Sequence, residues 1–158
     1  MNPGQYWMEV LISNIIAIII LLSCIYRPRI GRILFALLFV WAAFTNWSTS
    51  HSHPEFYLEY RKFALFDWYK DIINGFFARH IEGFVSIVAI SQLLTGISML
   101  LKGWLFRVGC IGGIIFLLSI APLGVGSGFP CTIIMAAGLV LLLKKYNNSF
   151  VWQNLKSA

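Results

Sequence analysis

IEGFVSIVAISQLLTGISMLL, residues 81 to 101, is an apolar stretch that holds one acidic residue, Glu82, and no basic residue. The hydrocarbon core of a bilayer is about 30 Å thick and takes about 20 helical residues to cross. A stretch of this length and composition therefore predicts a transmembrane helix. Four further apolar runs accompany it: Trp7 to Tyr26, Ile30 to Trp47, Leu105 to about Leu123, and Pro130 to about Leu143. The last run is short, so we expect it to begin in the glycine-rich stretch before Pro130 or to extend through Tyr146.

The composition agrees with this pattern. Of the 158 residues, 59% are hydrophobic and only 11% are charged, whereas about a quarter of the residues in a soluble domain are charged. This difference excludes an ordinary soluble enzyme and a disordered tail. We predict an all-α membrane protein with a single domain over residues 1–158, in which about five transmembrane helices form a bundle in the lipid bilayer.

The Lys and Arg residues predict the orientation of the bundle. They lie at the ends of the apolar runs and form no patch with interleaved aromatic residues, so a nucleic-acid partner is not predicted. Eight of them fall in the links after the first and third runs and in the C-terminal segment: Arg27, Arg29, Arg32, Lys102, Arg107, Lys144, Lys145 and Lys156. By the positive-inside rule this side is cytoplasmic, which places the N-terminus outside and the C-terminus in the cytoplasm.

The first run, residues 7–26, has a second interpretation as a cleaved signal peptide, because Leu21 to Cys24 resembles a weak lipoprotein cleavage site. A signal peptide begins with a positively charged region. Met1 to Val10 holds no Lys or Arg and carries Glu9. We therefore expect the run to be retained as an additional N-terminal helix; if it is cleaved, four helices remain.

Residues 48–80 form the one long segment between apolar runs, and on this topology they lie on the outer face. The segment is rich in aromatic residues: Phe56, Tyr57, Tyr60, Phe63, Phe66, Trp68, Tyr69, Phe76 and Phe77. So aromatic a segment is expected to lie on the membrane interface and not free in water. It is either a packed lid over the bundle or a lateral entrance for a lipid-soluble molecule.

Two short helices are expected within this segment. Phe56, Tyr60 and Phe63 recur at helical spacing, which predicts an amphipathic helix that begins after Pro54 and rests its aromatic stripe on the interface. A second helix is expected over Phe66 to Phe77.

The third run carries the candidate chemistry, because polar side chains inside a bilayer are costly and indicate function by default. Glu82 lies at its outer end, two residues after His80 and three after Arg79. It is expected either to form an interfacial ion pair with Arg79 or to exchange protons with His80. Gln92 lies near mid-membrane, where its amide either joins two helices or donates a hydrogen bond to a carbonyl ligand.

No metal site is predicted. His51 and His53 have only Glu55 at ligand spacing, so a solvated loop is expected there. The cysteines lie far apart and are expected to be buried free thiols: Cys24, Cys110 and Cys131. No nucleophile has a partnered base, so a hydrolase is not indicated.

Small residues in the fourth run favour close helix packing. Gly109 and Gly113 form a pair with small-xxx-small spacing. The contact is expected either within the chain or between copies, and the second case would give a homo-oligomer.

From about Gly31 to Lys145 the chain resembles the DoxX-like family of small bacterial membrane proteins, which includes the DoxD-type subunit of thiosulfate:quinone oxidoreductase. The resemblance is carried by FALLFVW at residues 35–41, DWYKDII at 67–73, QLLTGISMLL at 92–101 and the turn from Lys102 to Arg107. The glycine-rich fourth run follows this turn. Residues 30–145 then correspond to the four-helix core of the family, and the helix over 7–26 is an addition. The family usually has Glu where this chain has Gln92.

The resemblance implies a bacterial inner-membrane protein that is associated with a quinone-linked redox pathway. It suggests an accessory subunit that binds a quinone between the aromatic segment and the third helix and assists a membrane oxidoreductase. On this hypothesis Trp68 and Tyr69 stack on the ligand, with His80 nearby. Glu82 exchanges protons with the outer side, and Gln92 donates a hydrogen bond to a carbonyl. A non-catalytic membrane scaffold is the alternative, and a small-solute carrier is the third hypothesis. No ligand set for a metal, haem or flavin is visible.

Overall fold

The structure is a computed structural model that describes residues 3–152, with backbone only for residues 3–6, 125 and 126. Six α-helices account for most of it: α1 (Pro3–Tyr26), α2 (Pro28–Ser52), α3 (Asp67–Ile72), α4 (Ile81–Leu100), α5 (Trp104–Ile120) and α6 (Cys131–Lys144). Two 3₁₀ segments, Pro54–Lys62 and Ala121–Ser127, and a π-helical turn, Ile73–Phe77, connect them. The described residues contain no strand, so the all-α prediction is confirmed.

Four helical stretches within the described residues are long and apolar enough to cross a bilayer: Trp7–Tyr26, Pro28–Ser52, Ile81–Leu100 and Trp104–Gly124. The chain is therefore a membrane protein with a bundle of transmembrane helices. The fifth apolar helix, α6, has only 14 residues, or about 21 Å at 1.5 Å per residue. The expected extension of this helix is wrong at both ends, because it begins at Cys131 and ends at Lys144.

Buried aromatic and aliphatic side chains hold the bundle together. Phe35 and Phe39 of α2, Met99 of α4, Phe106 of α5 and Leu139 of α6 belong to one core. The outward faces carry equally large apolar groups, because lipid surrounds them in place of water. Among these groups are Trp41, Phe44 and Ile87, with 65%, 73% and 67% of their surface exposed.

The contact of α1 with α2 depends on one glycine. The two helices are joined by Arg27 alone, so they leave the turn in close contact. A Cβ atom on Gly31 would lie 2.6 Å from Cys24 Sγ and 3.1 Å from its Cα. Any larger residue at position 31 would push the two helices apart at this turn.

The bundle has a basic end and an acidic end. At the end where α1 leads into α2, the described residues include seven basic and no acidic side chains: Arg27, Arg29, Arg32, Lys102, Arg107, Lys144 and Lys145. The opposite end holds all the Asp and Glu residues of the chain: Glu9, Glu55, Glu59, Asp67, Asp71 and Glu82. It also carries four basic residues, Arg61, Lys62, Lys70 and Arg79. Lys156, which we also expect at the basic end, lies outside the described residues.

The aromatic segment covers the acidic end. Residues 48–52 of this segment belong to α2, and the helix that was predicted to begin after Pro54 begins at Pro54 and is a 3₁₀ helix, not an α-helix. Because a 3₁₀ helix has three residues per turn, residues three apart share a face, and Tyr57 and Tyr60 point toward the bundle with ring centroids 6.0 Å apart. Phe56 does not share this face and is 55% exposed, so Phe56 and Tyr60 do not form the single stripe that α-helical spacing predicted.

The second predicted short helix is confirmed in outline. It consists of α3 followed by the π-helical turn Ile73–Phe77. The backbone N–H of Leu65 donates to the carbonyl of Pro122 at 2.9 Å, which ties the aromatic segment to the link between α5 and α6.

Candidate functional site

A chain of three polar side chains connects the aromatic segment to the interior of the bundle. Tyr57 donates its hydroxyl hydrogen to Asn46 Oδ1 at 2.9 Å, and Asn46 Nδ2 donates to Gln92 Oε1 at 2.8 Å. These residues belong to the first 3₁₀ segment, α2 and α4. Gln92 is only 4% exposed. Hydrogen bonds of this kind between helices are worth about 1 kcal/mol in a membrane.

The close approach of α2 and α4 brings Asn46 within reach of Gln92. One turn after Gln92, a Cβ atom on Gly96 would lie 3.0 Å from Val40 and 3.1 Å from the carbonyl of Ala36. The two backbones meet closely here because position 96 has no side chain. The sequence pattern indicates Gln92 but not its partners. Asn46 is an amide within an apolar run and carries the same signal that identified Gln92.

Only the oxygen of the Gln92 amide has a hydrogen-bond partner among the described residues. Its oxygen accepts from Asn46, while no acceptor lies within hydrogen-bonding distance of its Nε2 among the described residues. An amide nitrogen carries two donor hydrogens. The Gln92 amide therefore keeps donors for a ligand that has an acceptor oxygen, although its Nε2 is not among the fully buried atoms without a partner, which are Asn14 Oδ1 and Thr132 Oγ1 among the described residues.

Tyr57 is protonated well beyond neutral pH. Burial raises the pKa of Tyr57 to about 12; the neighbouring Tyr60 adds to the rise, and a hydrogen bond with Thr49 opposes it. Its hydroxyl is thus a donor to Asn46 under ordinary conditions, which sets the direction of the whole chain of hydrogen bonds.

Glu82 has a different partner from the two that the sequence suggested. Its Oε1 lies 3.3 Å from His51 Nε2 at the end of α2, and the ion pair expected with Arg79 is not formed. His51 Nδ1 donates to the carbonyl of Trp47 at 2.8 Å, which turns Nε2 toward the carboxylate. The pair is largely exposed at the acidic end, and His80 instead stacks on Phe76 with ring centroids 4.9 Å apart.

Trp68 and Tyr69 form a separate group at the end of α5. The Tyr69 hydroxyl donates to the carbonyl of Ser119 at 2.7 Å, and burial raises the Tyr69 pKa above its usual value. Trp68 packs edge-on against Tyr69 with ring centroids 5.1 Å apart and is 56% exposed. The predicted site residues therefore lie in separate groups, of which only Gln92 reaches the bundle interior.

The other site predictions concern metals and thiols. Within the described residues, no group of three His, Cys, Asp or Glu side chains is placed to bind a metal ion. His53 Nδ1 lies 3.3 Å from Glu55 Oε1. The three cysteines are buried and free, as predicted: Cys24, Cys110 and Cys131.

Gly109 and Gly113 allow close packing of helices within the chain. A Cβ atom on Gly109 would overlap Ser98 of α4, and one on Gly113 would lie 2.8 Å from Leu139 of α6. Both glycines are buried. The prediction of packing within the chain is therefore confirmed, and the two glycines are not available to a second copy.

In the sequence Arg32 is only a topology signal, yet in the fold it is one of the most buried polar residues among those described. Only 5% of its surface is exposed. Nε donates to the carbonyl of Met99 at 2.7 Å, Nη1 to Ser149 at 2.9 Å, and Nη2 to Leu101. Its guanidinium carbon also lies 4.4 Å from the centre of the Phe106 ring. Arg32 thereby satisfies carbonyls at the end of α4 that the helix leaves without partners.

The fold and these clusters define a small all-α membrane protein with polar contacts in a mostly apolar bundle. Comparison of the chain with protein-family models, with curated proteins and with solved structures gave no match. The resemblance to the DoxX-like family therefore stays a prediction from the residues that carry it.

Proposed function

We propose that the protein is an accessory membrane subunit that binds a lipid-soluble carbonyl compound of the quinone type, as the DoxX-like resemblance implies. The observation that carries the proposal is the Gln92 amide, which is buried and keeps its donor nitrogen without a partner among the described residues. In this proposal a quinone oxygen accepts from Gln92 Nε2, while Asn46 holds the amide in its orientation.

The proposed site is narrower than the one expected from sequence. Trp68, Tyr69, His80 and Glu82 are left out of it, because their contacts are with other parts of the acidic end. Gln92 has no ionisable proton, so the protein is proposed to hold the ligand and not to transfer protons at this position. The chemistry would belong to a partner oxidoreductase.

We further propose that the protein lies in a bacterial inner membrane with the basic end in the cytoplasm. The support is the distribution of charge, with seven basic and no acidic residues at one end of the described chain. Such an excess of Lys and Arg in short loops marks the cytoplasmic side.

The test of quinone binding is the amount of quinone that copurifies with the protein in mild detergent, measured by mass spectrometry. Gln92→Leu is expected to lower the retained quinone about fivefold, because one hydrogen bond of about 1 kcal/mol is lost. Ser91→Ala is the matched control, since Ser91 is exposed and bonds only to Ile87 of its own helix. Equal quinone in both variants, or none in the unmodified protein, would contradict the proposal.

A non-catalytic scaffold is the second candidate, and a specific contact favours it. The bond from Asn46 to Gln92 joins α2 to α4, and joining helices is a sufficient role for a buried amide. In that case Gln92→Leu lowers the thermal midpoint in detergent and reduces copurification of membrane partners. No quinone is found in any variant. The same preparations therefore decide between the two candidates.

A further inference from the structure

The basic end contains a cleft that the proposed function does not use. It has a volume of about 160 Å³ and lies between the start of α2, the end of α6 and the segment after α6. Its lining is Pro28, Arg29, Arg32, Leu142, Lys145, Tyr146, Asn147 and Ser149. A water molecule takes about 30 Å³ of the liquid, so the cleft has room for a polyatomic group.

Arg32 brings a buried positive charge to the wall of this cleft. Its partners are carbonyl dipoles and an aromatic ring, which carry no net charge. No carboxylate lies within 4 Å of it among the described residues, because every acidic residue of the chain belongs to the acidic end. Buried charges in proteins are normally paired, since an uncompensated ion is costly to remove from water. An anion in the cleft would supply that pairing.

Two further features favour an anion at the same place. Lys145 lines the cleft and is held there by a hydrogen bond from Nζ to the carbonyl of Ile25 at 2.5 Å. Helix α2 begins beside it with Pro28, and its first turn has no side-chain cap. The partial positive charge of this helix N-terminus favours an anion, and the C-terminus of α1, which is separated from the start of α2 by one residue, offsets part of that charge.

We propose that the cleft binds a phosphate group, with Arg32 at its floor and Lys145 at its rim. The shared chemistry is a phosphate anion, and it has two possible sources. One is the headgroup of an acidic phospholipid in the adjacent leaflet, for which basic pockets between helix ends are suited. The other is a soluble phosphate.

The lipid source is tested by native mass spectrometry of the detergent-solubilised protein titrated with phosphatidylglycerol or with phosphatidylcholine. We expect retention of phosphatidylglycerol over phosphatidylcholine. Lys145→Gln is expected to weaken binding about fivefold, since a basic residue near an anionic headgroup contributes about 1 kcal/mol. The matched control is Lys144→Gln, which removes the same charge from the neighbouring exposed residue outside the cleft lining.

The soluble source is tested by equilibrium dialysis of the same protein against labelled inorganic phosphate. Saturable binding that Lys145→Gln weakens and Lys144→Gln does not would assign the cleft to a soluble phosphate. Equal losses in the two variants, in either assay, would show diffuse attraction to a basic surface and overturn the proposal. So would the absence of binding in both assays.

Arg32→Gln supplies a second test of the cleft, provided that the thermal midpoint shows a folded protein. Because Arg32 also bonds the carbonyls at the end of α4, the thermal midpoint of this variant is measured beside its phosphate binding. Lys145→Gln leaves those carbonyl contacts intact, so the proposal remains open to refutation whether or not Arg32→Gln folds.

Discussion

At the scale of single residues, Tyr57 links alkaline stability to the polar chain. Its pKa is raised from 10.0 to about 12 by burial, so the folded state keeps the hydroxyl protonated where the unfolded chain ionises. A raised pKa of this kind gives stability that is complete below pH 10 and is lost as the pH rises toward 12. Tyr57→Phe is therefore expected to lower the thermal midpoint at neutral pH, because the bond to Asn46 is lost, and to flatten the alkaline decline.

The measurement is the thermal midpoint in detergent at a series of pH values between neutral and strongly alkaline. Tyr60 and Tyr69 also have raised pKa values, so the decline will not vanish in Tyr57→Phe. The difference between the pH curves of the unmodified protein and of Tyr57→Phe gives the contribution of Tyr57 to the alkaline loss of stability. If both curves fall in parallel above pH 10, Tyr57 does not hold its proton as the fold requires.

Arg32 shows at the same scale why a residue type does not reveal its role. In the sequence it is one of three arginines in a short link, and all three serve equally as topology signals. In the fold it bonds the carbonyls of Met99 and Leu101, which are more than 60 residues away along the chain. Only the packing of α2 against α4 creates these contacts, and no local pattern contains that information.

At the scale of helices, α4 and α5 pack through Gly109. Gly109→Ala is expected to destabilise the protein by about 1 to 3 kcal/mol, because the new Cβ overlaps Ser98 and the helices must separate. Gly112→Ala is the matched control, since a Cβ at Gly112 meets nothing within 4 Å. Thermal unfolding of both variants in detergent checks the expectation.

A second change distinguishes overlap from a general intolerance of side chains at position 109. Ser98→Gly removes the atoms that the new Cβ meets, so the double variant should recover part of the lost stability. If Gly109→Ala is as stable as Gly112→Ala, or if Ser98→Gly gives no recovery, the helices are not packed through this contact.

Some boundaries of the helices were predictable from the sequence and others were not. The start of α4 at Ile81 and the 3₁₀ start at Pro54 agree with the sequence patterns, because hydropathy and proline act locally. The length of α6 and the inward face of Pro54–Lys62 were not predictable. They depend on contacts from distant segments, such as the bond from Leu65 to the carbonyl of Pro122. In the candidate site, Gln92 was identified from its type and depth, whereas its partner Asn46 required the packing of α2 on α4.

At the scale of the whole molecule, the two ends of the bundle differ in their charge. The cleft is lined by Arg29 and Arg32 from the start of α2 and by Lys145 after the end of α6. The link between α1 and α2 therefore lies at the same end as the segment after α6, even though α6 has only 14 residues. The excess of basic residues at this end predicts that it faces the cytoplasm.

A reporter fused after Ala158 tests this orientation. Green fluorescent protein exported in unfolded form is not fluorescent in the periplasm, and alkaline phosphatase is active only there, so the two fusions give opposite signals. We expect fluorescence and no phosphatase activity at the C-terminus. A phosphatase inserted between His53 and Pro54, at the acidic end, should be active. The reverse pattern of signals would mean that the bundle has the opposite orientation in the membrane. Phosphatase activity at both sites would mean that the C-terminus lies on the same side of the membrane as His53 and Pro54. That result would contradict the structure, in which the segment after α6 lines the same cleft as the start of α2.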